Sequence, residues 1–366
     1  MTPEGLVPAL VRRGLIDERA IVDGDLRVLD ASRRNLNFKL VSERGPSYLV
    51  KQGLGAGRVG TVAHEAETYR LFESLPAFRP IAALLPRCHG FDSEECMLIL
   101  ELVEAPQSLS EYHERRRRFP VAFGRALGKA LGTLHAIASA EAVRDSRGEA
   151  FPSYSPGILR FHRPSLQALA GYSDATLDLI KIVQQSPELC RCLDELHQCW
   201  REEALIHGDL RWDNAYVTPL AADGVKIVDW EMAGLGDPCW DVGTVLSEYL
   251  AFWLLSAPLA PEIQPQDFVR LAPFPVRRMQ PAMRAFWRAY ARRMRLDAGP
   301  DGDRCLRSVR YAGARLIHTA YERMQHRSKL TEEAVYLVQL GVNILKRPLD
   351  AAADLFGLAI LSDAAP

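Results

Sequence analysis

Apolar and polar positions alternate in three short runs within residues 26–52, LRVLDAS, NFKLVSE and SYLVKQ. A period of two predicts half-buried strands, and the turn ERGPS supplies Gly and Pro for a hairpin between the last two. A short helical opening precedes them. After the glycine-rich GLGAGRVG, the segment HEAETYRLFESL places apolar or small residues at helical spacing. Two further strands flank FDSEE, the second being the apolar run MLILELV. From about residue 104 the pattern lengthens into helical segments interrupted by prolines, such as VAFGRALGKALGTLHAIAS and LIKIVQQSPELCRCLDELHQCWREEA. Strands return around ALIHGDLRWDNAYV and GVKIVDW, and the chain from Asp241 onward reads as helices. The pattern therefore predicts an α+β protein, a small strand-rich lobe followed by a large helical one.

At 366 residues and 48% apolar, the chain can bury a sizeable core. Forty-five Lys and Arg against 46 Asp and Glu leave a formal charge of -1, so no global field draws it to nucleic acid or anionic membrane, and neither partner is expected. Seven cysteines without a C-x-x-C pair or metal-ligand spacing read as reduced thiols. The start MTPEGLVPAL lacks the pattern of a secretory signal, and the apolar stretch Tyr249 to Leu255 is too short to span a bilayer, so a cytoplasmic protein is expected.

The chemistry concentrates in two segments. HGDLRWDN sets Asp209 and Asn214 five residues apart, and fifteen residues later the run VKIVDWE ends a strand at Asp229. Two carboxylates and an amide oxygen at these spacings could fold onto one point, a donor set that suits Mg²⁺. Together with GLGDPCWDVG, these motifs resemble the aminoglycoside phosphotransferase and choline kinase superfamily, a branch of the protein-kinase-like fold; kinases share the five-residue Asp to Asn separation. The resemblance implies a bilobal fold with a nucleotide-binding lobe over 1–103 and a catalytic and substrate-binding helical lobe over 104–366, carrying an insertion at 140–203. It implies transfer of the γ-phosphate of ATP to a hydroxyl, with Asp209 as base, Asn214 holding one Mg²⁺ and Asp229 holding the metals that bridge the phosphates. Asp241, with Asp237 as a second candidate, would brace the catalytic loop through its backbone, while His207 would pack. Glu101 to Val103 would present backbone groups to adenine.

Lys51 closes an apolar strand and could reach the α and β phosphates, steadied by a carboxylate on the next helix. Glu65 is chosen for that carboxylate and Glu67 is the alternative. No glycine-rich loop precedes Lys51. Ser32 and Asn35 are the polar groups that could serve the phosphates there, with Arg33 or Arg34 adding charge; an exposed polar turn is the equal alternative. The segment Gly55 to Gly60 matches G-x-G-x-x-G, but it follows hairpin-like strands rather than opening a βαβ unit, so a dinucleotide-dependent oxidoreductase is the lesser reading. A catalytically inactive kinase-like binding protein is another alternative, opposed by the complete set Lys51, Glu65, Asp209, Asn214 and Asp229.

Between residues 280 and 328 eleven arginines face four acidic residues. That balance disfavours a polycationic aminoglycoside and fits an anionic small molecule or a peptide, unless the arginines face solvent or pair with acids elsewhere. Choline would want an aromatic cage, for which Trp253, Trp287 and Tyr290 are candidates. The run Arg115 to Arg118 reads as a solvated face or a partner surface. Arg211 and Trp212, where the family often has His and Pro, look similar to phosphotransferase-like proteins of ribosomal-peptide pathways. This likeness raises Ser or Thr of a precursor peptide as acceptor, with a partner lyase.

Overall fold

The computed structural model describes residues 3–32, 36–103, 107–147, 151–217, 224–257, 271–296 and 302–358. The chain divides into two compact units, residues 1–107 with 216–233, and residues 108–215 with 234–366.

The first unit is built on a five-stranded antiparallel sheet of β1 (Leu26–Asp30), β2 (Leu36–Ser42), β3 (Tyr48–Gln52), β4 (Cys88–Asp92) and β5 (Met97–Glu101), in the order β1-β2-β3-β5-β4. The alternation read from the sequence decides its two faces. Phe38, Leu40, Tyr48, Val50, Met97 and Ile99 form one apolar face with Leu6 and Leu10 of the N-terminal helix α1 (Pro3–Arg12). Lys51, next in line after Val50, must then point to the other face. The helix α2 (Ala56–Ser74) runs there, entered through Gly55 at φ +84, a conformation that favours glycine. A sheet antiparallel throughout contains no βαβ unit, which removes the structural basis for reading Gly55 to Gly60 as a dinucleotide fingerprint.

The segment 216–233 groups with this unit, whereas the division read from the sequence at residue 103 assigned it to the helical lobe. Its anchors are local. Ile227 N–H donates to Leu84 O at 2.7 Å, Lys226 Nζ donates to Leu85 O at 2.7 Å, and the Trp230 ring meets Phe72 edge-on.

The second unit is helical, with α3 (Val121–Ile137), α4 (Pro238–Ser256), α5 (Val276–Met294), α6 (Gly302–Met324) and α7 (Glu332–Lys346) as its long members. Segments read as one interrupted run resolve into helices Asp174–Gln184 and Pro187–Gln198, the second started by Pro187 and capped by Ser186. A two-stranded antiparallel ribbon pairs Ala204–Ile206 with Gly234–Gly236. The HGDLRWDN loop leaves the first of these strands.

Helices α3 and α5 approach backbone to backbone. A Cβ added at Gly124 would stand 2.3 Å from Ala282 O, and one at Gly128 would stand 2.2 Å from Phe286 O. These neighbours are main-chain atoms, so the helices would have to part. We expect Gly128→Ala to destabilise the protein by about 1–3 kcal/mol, the usual range for overpacking a core. Thermal denaturation would register a lower Tm, and an unchanged Tm would contradict this packing.

Candidate active site

In the first unit, Lys51 Nζ lies 2.9 and 2.7 Å from the two oxygens of Glu65 and 2.8 Å from Asp229 Oδ1. The lysine side chain is 9% exposed and that of Glu65 1%, while Asp229 is 39% exposed. Burial pushes the Lys51 ammonium down, but the two carboxylates more than reverse it and hold it protonated above the ordinary lysine range. Glu65 Oε1 also accepts from Trp230 N–H at 3.3 Å, tying the helix to the segment that carries Asp229. Glu67 is partly exposed and pairs with Arg70, so the structure brings Glu65 and not Glu67 to Lys51. Asp229 has a left-handed backbone, φ 68, at the start of a 3-10 turn. This is an unfavourable conformation for a non-glycine residue, and such positions cluster at functional sites.

Ser32 is committed to its own turn. Its hydroxyl accepts from Asn37 N–H at 3.1 Å and its N–H donates to Asp30 Oδ1 at 2.8 Å. Arg33, Arg34 and Asn35 lie outside the described residues. At the end of β5, Glu101 N–H donates to Arg87 O and the Glu101 carboxylate accepts from Arg87 N–H. Val103 is buried just beyond, and its N–H has no backbone partner among the described residues.

In the second unit, Asp241 is fully buried and its two oxygens accept from His207 N–H at 2.7 Å and Gly208 N–H at 3.0 Å. His135 Nε2 lies 3.3 Å from the same carboxylate. The loop bends through Gly208 at φ 81, and buried His207 offers Nδ1 to Asp209 N–H at 3.3 Å. Asn214 Nδ2 donates to Asp209 O at 2.8 Å, which fixes the amide nitrogen to the loop and gives its oxygen as the group available to a ligand. Asp237 works differently from Asp241. It caps α4 by accepting from Cys239 N–H at 3.0 Å and pairs with Arg307 Nε at 3.1 Å.

Asp209 is held by two guanidinium groups, Arg211 Nε at 3.1 Å and Arg315 Nη2 at 2.9 Å. Arg315 comes from α6, is 1% exposed, and is steadied by Glu322 at 3.3 Å and by contact with His318. Burial, then the Arg315 charge, hold the His318 imidazole well below its usual range, so it is neutral near pH 7. Sequence reasoning did not single out Arg315. A signal was present in the spacing of Arg315, His318 and Glu322, polar residues that recur among the buried apolar residues of α6.

Beside this loop opens a cavity of about 460 Å³ whose wall includes Arg211, Trp212, Asp213, Glu248, Glu322 and Arg323. Its other aromatic rings are Phe252 and Phe274. Trp253, Trp287 and Tyr290 do not line it, and the Tyr290 ring is buried with its hydroxyl 3.1 Å from His135 Nδ1, so the three form no cage at this cavity. All four residues of the run Arg115 to Arg118 are exposed, and Arg117 of them lines the cavity.

Many of the counted arginines are spent on structure. Arg304 pairs with Glu203, Arg307 with Asp237, Arg310 with Glu195 and Arg315 with Asp209. The local surplus over 280–328 is thus partly balanced by acids distant in sequence, and it does not measure the charge a ligand meets.

Burial pushes the Glu248 carboxyl up to about 7, against the pull of Arg315, and Glu248 Oε2 accepts from Trp212 N–H at 3.1 Å. The folded protein therefore holds this proton more tightly than the unfolded chain, and stability falls as pH rises from the ordinary carboxyl range to about 7. Glu248→Gln removes the titration. We expect its Tm, relative to wild type, to climb between pH 5 and 7 and then level. A constant difference across that range in thermal denaturation would contradict the assignment.

The two sets of residues, a buried lysine with its carboxylate and a braced loop bearing Asp and Asn, define a kinase-like phosphotransferase. The chain belongs to the phosphotransferase enzyme family, whose model matches residues 25–297. It is an enzyme of the kinase class. Among solved structures, an ethanolamine kinase of Plasmodium vivax is similar at TM-score 0.52 and 12% identity, covering 92% of this chain and 85% of that one. A choline/ethanolamine kinase family protein from Mesorhizobium loti reaches TM-score 0.51 at 17% identity, covering 96% of each chain. An amicoumacin kinase in complex with AMP-PNP, Ca²⁺ and Ami reaches TM-score 0.53 at 13% identity, covering 92% of this chain and 95% of that one. These likenesses establish the bilobal kinase-like fold. A stretch of 68 residues is 38% identical to mouse acyl-CoA dehydrogenase family member 10, 18% of this chain but 6% of that relative. Among the described residues, no helix is long and apolar enough to cross a membrane.

Proposed function

We propose that the protein transfers the γ-phosphate of ATP to a hydroxyl of a small molecule. The observation that carries this reading is the loop bearing Asp209 and Asn214, braced by the buried Asp241 and lying beside a cavity of acceptor size. ATP with Mg²⁺ would supply the activated phosphoryl group, as AMP-PNP and Ca²⁺ in the amicoumacin kinase complex suggest. Lys51, held by Glu65, would bind the α and β phosphates, and the Val103 N–H and Glu101 backbone would meet adenine.

Asp229 and Asn214 would hold the metal. A partly exposed carboxylate and an amide oxygen are hard donors that fit Mg²⁺, which takes its remaining ligands from phosphates and water. Among the described residues no group of three His, Cys, Asp or Glu forms a metal cage, and a phosphate-bound Mg²⁺ does not require one. Asp209 would orient the acceptor hydroxyl and take its proton.

The cavity combines apolar rings with both charge signs, which suits a small amphipathic acceptor rather than a polycation. A precursor peptide with a partner lyase remains the reading from motif likeness, without a structural feature that favours it. A screen with γ-labelled ATP against sugars, amino alcohols, hydroxy acids, aminoglycosides and Ser/Thr peptides tests the class. Label on a small molecule is the expected result, and label on peptides alone would overturn it.

A further inference from the structure

The two oxygens of Asp209 are held in different ways. Arg315 is buried and fixed by three partners, so its bond to Oδ1 is part of the fold. Arg211, which bonds Oδ2, has a side chain 37% exposed and forms part of the cavity wall. Among the residues that line the cavity, Arg211 is the one bonded to Oδ2, and Asp209 itself is not part of the wall. A guanidinium on a carboxylate oxygen occupies it and draws off its charge, so the oxygen is a poorer acceptor for a hydroxyl or for water.

We propose that Arg211 is a displaceable cap on Asp209, a positioning residue that withholds the base from water until an acceptor enters the cavity and releases Oδ2. The inference rests on the reading of Asp209 as base. In the uncapped protein without acceptor, water takes the acceptor's place. Its oxygen bonds to the γ-phosphorus, the bridging P–O bond breaks with its electron pair leaving on ADP, and the water proton passes to Asp209 and then to solvent. The products are ADP and inorganic phosphate.

Acceptor-free Mg·ATP hydrolysis by the full chain tests the cap, with Mg·ATP binding followed by calorimetry. Arg211→Gln is expected to hydrolyse ATP about three- to fivefold faster than wild type, the ratio that follows from loss of one partly exposed ion pair, at unchanged Mg·ATP affinity. Arg211→Lys, which restores the cation, is expected to move the rate back toward wild type, and Asp209→Asn added to Arg211→Gln is expected to abolish the gain. Normal nucleotide binding with hydrolysis equal to or slower than wild type in Arg211→Gln would overturn the cap and leave the phosphotransferase reading in place. A gain that survives in the double variant would overturn it too, because the gain would not pass through Asp209. Failure of wild type to bind Mg·ATP would overturn the base assignment and the cap together.

Discussion

Asp209→Asn is expected to lower turnover by about 10²-fold or more, because a positioned carboxylate that takes a proton in the transition state contributes roughly 10² to 10⁴. Asparagine keeps the shape of the side chain, and its amide oxygen can still accept from Arg315. The choice of substitution follows from the burial of that arginine. Asp209→Ala would leave a cation that is 1% exposed with Glu322 as its remaining carboxylate partner, and lost activity could then not be separated from lost stability. The expected signature is a fall in kcat with KM for ATP and the Tm little changed. A folded Asp209→Asn protein with turnover near wild type would remove the base assignment.

Lys51→Met is expected to have the largest effect on stability. It leaves the Glu65 carboxylate, 1% exposed, without its cation and close to the Asp229 charge. Breaking a buried pair by removing one partner typically costs about 3–5 kcal/mol. The stranded carboxyl then binds a proton more tightly folded than unfolded, so the deficit deepens as pH rises from about 5 toward 8. Adding Glu65→Gln should recover part of the loss, since it removes the charge and keeps an acceptor for Trp230 N–H. ATP affinity should fall in both variants. Denaturant titrations of wild type, the two single variants and the double variant at two pH values check the whole pattern. A double variant no more stable than Lys51→Met would show that the two residues are not coupled as the geometry indicates.

Much of the first unit was legible because strand periodicity is a local property. Once Tyr48 and Val50 face the apolar cluster, Lys51 must face α2, and a carboxylate two to three turns into that helix is within reach. What the pattern did not decide was which carboxylate. Glu65 and Glu67 differ by two positions, about 200° around a helix, and the packing of α2 against the sheet and against Trp230 selects Glu65. Asp209, Asn214 and Asp229 were legible through motif spacing, and Asp241 through the motif that follows.

Arg315 was not legible in the same way. It lies beyond the residues matched by the family model and 106 positions from Asp209, and among eleven arginines nothing local marks it. The charge count over 280–328 could not decide between a ligand and distant acids for the same physical reason, since ion pairs ignore sequence distance. The placement of residues 216–233 with the first unit likewise depends on hydrogen bonds to Leu84 and Leu85, which no periodicity encodes.

The proposed reaction moves the γ-phosphate of ATP with a divalent metal held by Asp229. The most direct measurement is loss of γ-phosphate from labelled ATP over a Mg²⁺ titration, in the presence of the hydroxyl-compound panel, for wild type and Asp229→Ala side by side. Transfer that requires Mg²⁺ and is lost in Asp229→Ala is the expected result. Transfer that proceeds equally in both proteins, or no nucleotide binding by a folded wild type, would contradict it.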